Sequence, residues 1–240
     1  GGSHMGSGMT QNIQRAPVFT RNFGRTFVTK SEQKWDILNT SEDPFSKGPS
    51  NHASISIIKA ASTVNPQQHI VDIGSGHGQL IEHLHRQLPD ASLIALDLSQ
   101  EALNRFKNTP IQTIKEDVNQ LGWNRNLPKK SIINADMITP YVGNLNRFMR
   151  SLGQLEPALV LIRYPVDKDP RNEWFQQSYP GYQLTNSNEM QDLLHQEFPG
   201  YKNILKFRSR FFPPFGLSTL YGKTRLITTE FVVVSKEFFP

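Results

Sequence analysis

Val71-Asp72-Ile73-Gly74-Ser75-Gly76-His77-Gly78 joins a short apolar, β-branched run to a helical stripe that begins at Leu80. Three alternating glycines behind an acidic residue let the backbone turn tightly and approach a ligand closely. The spacing excludes two common nucleotide sites. A dinucleotide fingerprint G-x-G-x-x-G would need glycine at position 79, which is Gln79. A G-x-x-x-x-G-K-[ST] phosphate loop is absent because no lysine follows. The loop therefore suits a nucleotide without equipment for a pyrophosphate or triphosphate. Carboxylates recur where later apolar runs end, at Asp97, at Glu116-Asp117 and at Asp136. The chain has no Cys, which removes thiol nucleophiles, disulfides and zinc fingers and fits a reducing, cytoplasmic setting. His83 and His85 lie two apart on an expected helix and diverge, and no carboxylate–histidine cluster has metal-ligand spacing, so no metal is expected.

The elements that must position these groups alternate regularly. His69–Ile73, Ser92–Asp97, Ile111–Glu116, Ser131–Asp136 and Ala158–Arg163 read as strands. Helical stripes lie between most of them: Leu80, Ile81, Leu84 and Leu88; Ala102, Leu103 and Phe106 behind a Ser99 N-cap; Leu145, Phe148, Met149 and Leu152. Another stripe, Ala53 to Ala61, precedes the first strand, and a helix about Glu189 to Phe198 follows the fifth. Strands alternating with helices imply a parallel sheet covered on both faces. Tyr201–Phe211 and Leu226–Ser235 lack a crossover helix and read as an antiparallel hairpin at the sheet edge. The expected fold is α/β: a doubly wound, mostly parallel seven-stranded sheet with an antiparallel terminal hairpin and helices on both faces. With 240 residues, 37% hydrophobic, the chain is long enough for one such domain and too apolar to be disordered. No apolar run approaches the roughly 20 residues of a membrane span, so no membrane partner is expected. Residues 1–8 read as an expression-tag scar with Met9 as the start, 9–50 as an N-terminal arm and lid, and 51–240 as the main domain with a substrate-side insertion at about 166–188.

Asp72-Ile-Gly-Ser-Gly-His-Gly78 resembles the first motif of class I S-adenosylmethionine-dependent methyltransferases, an acidic residue followed by G-x-G-x-G. The resemblance runs from about Asn51 to Ser235 and includes the final hairpin. It implies S-adenosyl-L-methionine as cofactor and direct transfer of a methyl group to an acceptor. It further implies that Asp72, Gly74, Ser75, Gly76 and Gly78 cradle the cofactor, Asp72 helping to order its methionine end. Asp97, with Leu98 beside it, matches the position that accepts hydrogen bonds from the ribose hydroxyls, a task a carboxylate at a strand end performs well. Asp117 matches the position that meets the adenine amino group, with Val118 offering a backbone N–H. Asp136, next to Met137, matches the station between cofactor and substrate.

Strand order places the acceptor beyond the carboxyl ends of strands four and five. Asp136, Tyr141 and His52 are the candidate catalytic residues there, and Arg163, Trp174 and Tyr141 the candidate substrate contacts. Arg163 has two readings, a bidentate clamp on a substrate carboxylate or an ordinary ion pair. The aromatic stretch Trp174, Phe175, Tyr179 and Tyr182 reads as a mobile insertion suited to a planar or apolar acceptor, or as ordinary packing. The expected acceptor is a small molecule methylated on O or N. An RNA or protein acceptor is the alternative, through Lys206, Arg208 and Arg210 on one face of the terminal hairpin, whose plainer reading is a solvated face. A third reading keeps the cofactor site and performs no methyl transfer.

Overall fold

Seven strands form a single sheet in the order β3-β2-β1-β4-β5-β7-β6. A computed structural model of the chain describes residues 32–33, 52–76, 78–178, 182–211 and 227–236, save a few side chains within the helices and strands. The strands are β1 (Ile70–Ile73), β2 (Leu93–Asp97), β3 (Gln112–Lys115), β4 (Ile132–Asp136), β5 (Leu159–Pro165), β6 (Lys202–Phe211) and β7 (Ile227–Ser235). The first five are mutually parallel, and β7 runs antiparallel to both β5 and β6. The expected hairpin is present, with β7 inside and β6 on the rim.

The helices are α1 (His52–Val64), α2 (Gln79–Gln87), α3 (Gln100–Asn104), α4 (Leu145–Gln154), α5 (Pro170–Ser178) and α6 (Ser187–Glu197). Every residue of β1, β2, β5 and β7 is buried, the mark of strands covered on both sides. Period-two alternation divides their side chains between two cores. Val71, Ile133, Val160 and Ile162 pack with Phe148, Met149 and Leu152 of α4 and Met190 and Leu193 of α6. Ile70, Ile132, Leu159 and Leu161 pack on the other face with Ile58 of α1 and Ile81 and Leu84 of α2. Ser99 Oγ accepts the Ala102 N–H at 3.1 Å and caps α3 as expected. None of the helices described is long and apolar enough to cross a membrane.

The described residues of 166–188 pack on the sheet edge. They contain α5, and Asn172 ties that helix to the sheet. Its amide N–H groups donate to the Val166 and Thr228 carbonyls at 2.7 Å each, and its Oδ1 accepts the Thr228 N–H at 2.8 Å. Thr185 bridges back to Val166, and Tyr182 is buried. A buried backbone segment needs such partners, and here the sheet edge supplies them. The side chains of Trp174 and Phe175, Tyr179, His77 and, save residues 32–33, the whole expected arm and lid at 9–50 lie outside what is described.

The chain reverses direction across the sheet between β1 and β4, since β2 and β3 lie on one side and β5 on the other. Open α/β sheets leave a crevice at such a switch point, outside the carboxyl ends of the strands. The glycine loop, Asp97, Asp117 and Asp136 all follow or end strands on that side.

Candidate functional site

The loop after β1 is held from the neighbouring strand. Gly74 N–H donates to Leu96 O at 2.7 Å, Gly76 N–H to Asp97 Oδ2 at 2.9 Å and Gly78 N–H to Ser75 O at 2.8 Å. Gly74 and Gly76 adopt φ of +73° and +54°, where a side chain is strained. A Cβ on Gly74 would fall 2.0 Å from Ile138 Cδ1, so the segment after β4 closes against the loop there. Among the described residues, a Cβ on Gly76 would meet nothing nearer than Gly74 O at 3.9 Å. Gly76→Val should abolish ligand binding at the loop and, because a β-branched residue is strained at φ +54°, also lower the melting temperature without unfolding the chain, checked by calorimetry beside thermal denaturation.

Asp97 does two jobs. Its Oδ1 accepts the Ser99 N–H at 2.8 Å while Oδ2 holds Gly76, so one carboxylate fixes both the α3 entry and the glycine loop. Burial raises its pKa; the backbone N–H groups of Ser99 and Gly76 and the nearby Arg105 charge offset part of that rise. The Leu98 N–H also favours the charged carboxylate. Leu98 beside it is half-buried.

Asp72 is 5% exposed and lies in register with Asn134 of β4, whose Nδ2 donates to Asp72 Oδ1 at 3.0 Å. Burial pushes the Asp72 carboxyl up to about 7, the Asn134 bond works against the rise, and Asp136 and Asp97 add to it. After β3, Asp117 Oδ1 accepts the Asn119 N–H at 2.9 Å and Val118 packs on the core. Glu116 is engaged by Arg125 at 2.9 Å.

Asp136 and Arg163 face each other as register partners on β4 and β5. Arg163 Nε donates to Asp136 Oδ1 at 2.6 Å and Nη2 to Oδ2 at 2.8 Å. Of the two readings for Arg163, the ion pair is the one realised: the fork that would clamp a substrate carboxylate is taken by Asp136, because adjacent strands bring the two planar groups opposite each other. Met137 follows at φ +59° with its N–H donating to Arg163 O, so the β4 end is held in a costly conformation. Tyr141 closes a 3₁₀ turn, Thr139–Tyr141, and meets Tyr182 edge-on at 5.9 Å. Burial raises the Tyr141 hydroxyl pKa, which keeps the phenol protonated. His52 stands exposed at the start of α1.

Residues 70–147 match a family model described as a methyltransferase domain, a span that holds the glycine loop, Asp97, Asp117 and Asp136. That third of the chain is similar to methyltransferase domains. Trans-aconitate 2-methyltransferase of Yersinia pestis is 34% identical over 110 residues, 45% of this chain and 42% of that protein. The chain thus spans less than half the length of the curated relatives it matches. Among solved structures, a SAM-dependent methyltransferase from Anabaena variabilis superposes with TM-score 0.60 at 13% identity, covering 93% of this chain and all of that one. The N-methyltransferase NodS from Bradyrhizobium japonicum, in complex with S-adenosylhomocysteine, gives 0.58 at 10% identity, over 85% and 97%. At these identities the structural likeness is one of fold.

The residues of this site fit S-adenosylmethionine, the cofactor that the resemblance implies. Among the described residues, nothing lies within 3.9 Å of a Cβ on Gly76 and buried Ser75 Oγ has no hydrogen-bond partner, while Asp97 holds the same loop through its carboxylate. Asp72, Asp97, Asp117 and Asp136 all lie on this side of the sheet, and Asp136 and Arg163 compensate each other as an ion pair. Two residues of this site carry no motif signature. Asn119 accepts the Gly143 N–H on Oδ1, donates from Nδ2 to Tyr141 O and receives Arg147 Nη2 on its carbonyl, pinning the loop after β3 to that after β4. Asn134 had one legible sign, an amide within the apolar run Ile132-Ile133-Asn134-Ala135.

Proposed function

We propose that this protein moves a methyl group from S-adenosylmethionine to an O or N atom of a small molecule. The observation that carries the reading is the clamp of Gly76 by Asp97 at the switch point of the sheet, within the span that matches the methyltransferase family. Bound S-adenosylmethionine supplies a methyl already activated by its positive sulfur. The chain's own residues then have to orient the acceptor and keep water out. Positioning alone is worth roughly 7–11 kcal/mol in well-oriented reactions, so a dedicated base is not obligatory.

Asp136, anchored by Arg163, is placed to accept a hydrogen bond from an acceptor O–H or N–H. Tyr141 and Tyr182 form an aromatic wall beside it. His52, at the exposed head of α1, is the candidate to collect a proton, and Trp174 the candidate to cover a planar acceptor. The terminal hairpin offers less to a nucleic acid than its sequence suggests. Glu230 of β7 draws Arg208 to 3.3 Å and Lys206 to 4.0 Å, which satisfies part of that basic face within the protein.

The test is binding and transfer together. Asp97→Ala should cut affinity for S-adenosylhomocysteine at least about tenfold, since a charge-assisted hydrogen bond and the loop anchor are lost together. Unchanged affinity by calorimetry would remove the ribose assignment. Methyl transfer to a panel of small hydroxyl and amino compounds, read by mass spectrometry, supports the acceptor class. Transfer to bulk RNA that falls steeply with salt would replace it with the alternative.

A further inference from the structure

Strand β4 carries an amide where a leucine would pack. Asn134 is 1% exposed, between Ile133 and Ala135, on a sheet face otherwise lined by Ile70, Ile132 and Leu161. A buried amide is costly unless bonded, and this one is bonded on one side only. Its Nδ2–H donates to Asp72 Oδ1 at 3.0 Å, whereas its Oδ1 is buried with no hydrogen-bond partner among the described residues. With Asp72 charged this orientation is the favourable one, because an amide oxygen turned to a carboxylate would repel it.

The surroundings of Asp72 show what the amide does. From β2 comes Asp97 and from the β4 end Asp136, both of which disfavour charge on Asp72. The Arg163 guanidinium of β5 is engaged with Asp136, and the cation of Arg105 acts on Asp97. On α1, His52 is exposed and Lys59 Nζ is bonded to Gln87 Oε1 at 3.0 Å. Among the described residues, the Asn134 amide is the sole group favouring the charged form of Asp72.

We propose that Asn134 is a positioning residue for cofactor binding: its amide holds Asp72 as an oriented carboxylate ready for the ammonium of the cofactor's amino-acid end. The proposal rests on the cofactor reading above. It assigns to a strand-interior residue the task of keeping the acid of the first motif charged, at a place where burial and two neighbouring carboxylates push it toward neutrality.

Calorimetric titration with S-adenosylhomocysteine from pH 6 to 9 tests it on the parent, Asn134→Leu, Asp72→Asn and the double variant. In the parent, affinity should rise through about pH 7 and level off. Asn134→Leu should move that midpoint up by about one pH unit, a loss of about tenfold in affinity at pH 7 that largely recovers by pH 9. With Asp72→Asn already present, the leucine should add less than about twofold and no pH dependence. An unmoved midpoint, or an equal loss at every pH that persists beside Asp72→Asn, overturns the proposal and leaves Asn134 a packing residue. If Asn134→Leu fails to fold by circular dichroism, the parent still decides. Titrations in buffers of different ionisation enthalpy should show release of about half a proton per ligand at pH 7, and no release would overturn the proposal. Failure of the parent to bind at any pH would instead sink the cofactor reading itself.

Discussion

Asp72→Asn should make the ligand-free protein more stable at pH 8, by up to about 4 kcal/mol, while weakening its hold on the cofactor. The Asp72 carboxyl titrates at about 7 in the folded chain against an ordinary 3.8. Below 3.8 both folded and unfolded states carry the proton and the acid imposes no penalty. Between 3.8 and about 7 the unfolded state releases the proton and the folded state retains it, so stability falls as pH rises and levels off above 7. At about 1.4 kcal/mol per pH unit, that window amounts to roughly 4 kcal/mol. Asp72 is only 5% exposed, so solvent screens little of it. A neutral amide removes the titration. The melting curves of parent and variant should therefore lie close together near pH 4.5 and separate steadily toward pH 8; parallel curves would refute the burial account. Sites that stabilise a ligand's charge commonly destabilise the protein that holds them, and the gain in stability with loss of affinity is the signature to measure.

Arg163→Met should cost about 3 kcal/mol in chemical denaturation at pH 7. Arg163 is 8% exposed and Asp136 27%, and the two share a bidentate pair. Removing one partner of a buried pair typically costs 3–5 kcal/mol because the other charge is left without compensation. The partial exposure of Asp136 places the expectation at the lower end. Replacing both, as Arg163→Met with Asp136→Leu, should restore most of the stability and abolish methyl transfer if Asp136 contacts the acceptor. Full stability in the single variant would mean the pair contributes nothing. The same geometry bears on substrate choice: an acceptor carboxylate finds the Arg163 fork already bonded, so a hydroxyl or amine facing Asp136 fits better than an acid facing Arg163.

Much of the scaffold was readable from local pattern. Continuous runs such as Leu93-Ile-Ala-Leu and Leu159-Val-Leu-Ile imply strands buried on both faces, and each lies within about a residue or two of the observed bounds. The Ser99 cap, a single hydrogen bond three residues long, was readable for the same reason. The stretch 166–188 was less legible. Its helix, Pro170–Ser178, is weakly amphipathic and draws its support from Asn172 reaching the β7 entry, 56 residues away in sequence. Glu230 reads as one charge interrupting Ile227 to Ser235. In the fold it is 2% exposed and receives the hydroxyls of Tyr164 and Ser187 together with Arg208. Burial alone would raise its carboxyl, and those hydroxyls with the Lys206 and Arg208 cations hold it below its ordinary value.

By itself, the amino-acid order determined the strands and helices, the glycine turn and the acids that end the strands. Each of these depends on steric and hydrophobic preferences acting over a few neighbouring residues. Tertiary structure alone decided what those groups do to one another: Arg163 turned to Asp136, Asn134 placed across from Asp72, and Asn119 joined two loops. Such pairings follow from strand order and register, which bring residues 24 to 62 positions apart within 3 Å. Charge, hydrogen bonding and desolvation act over those distances in space and take no account of distance along the chain.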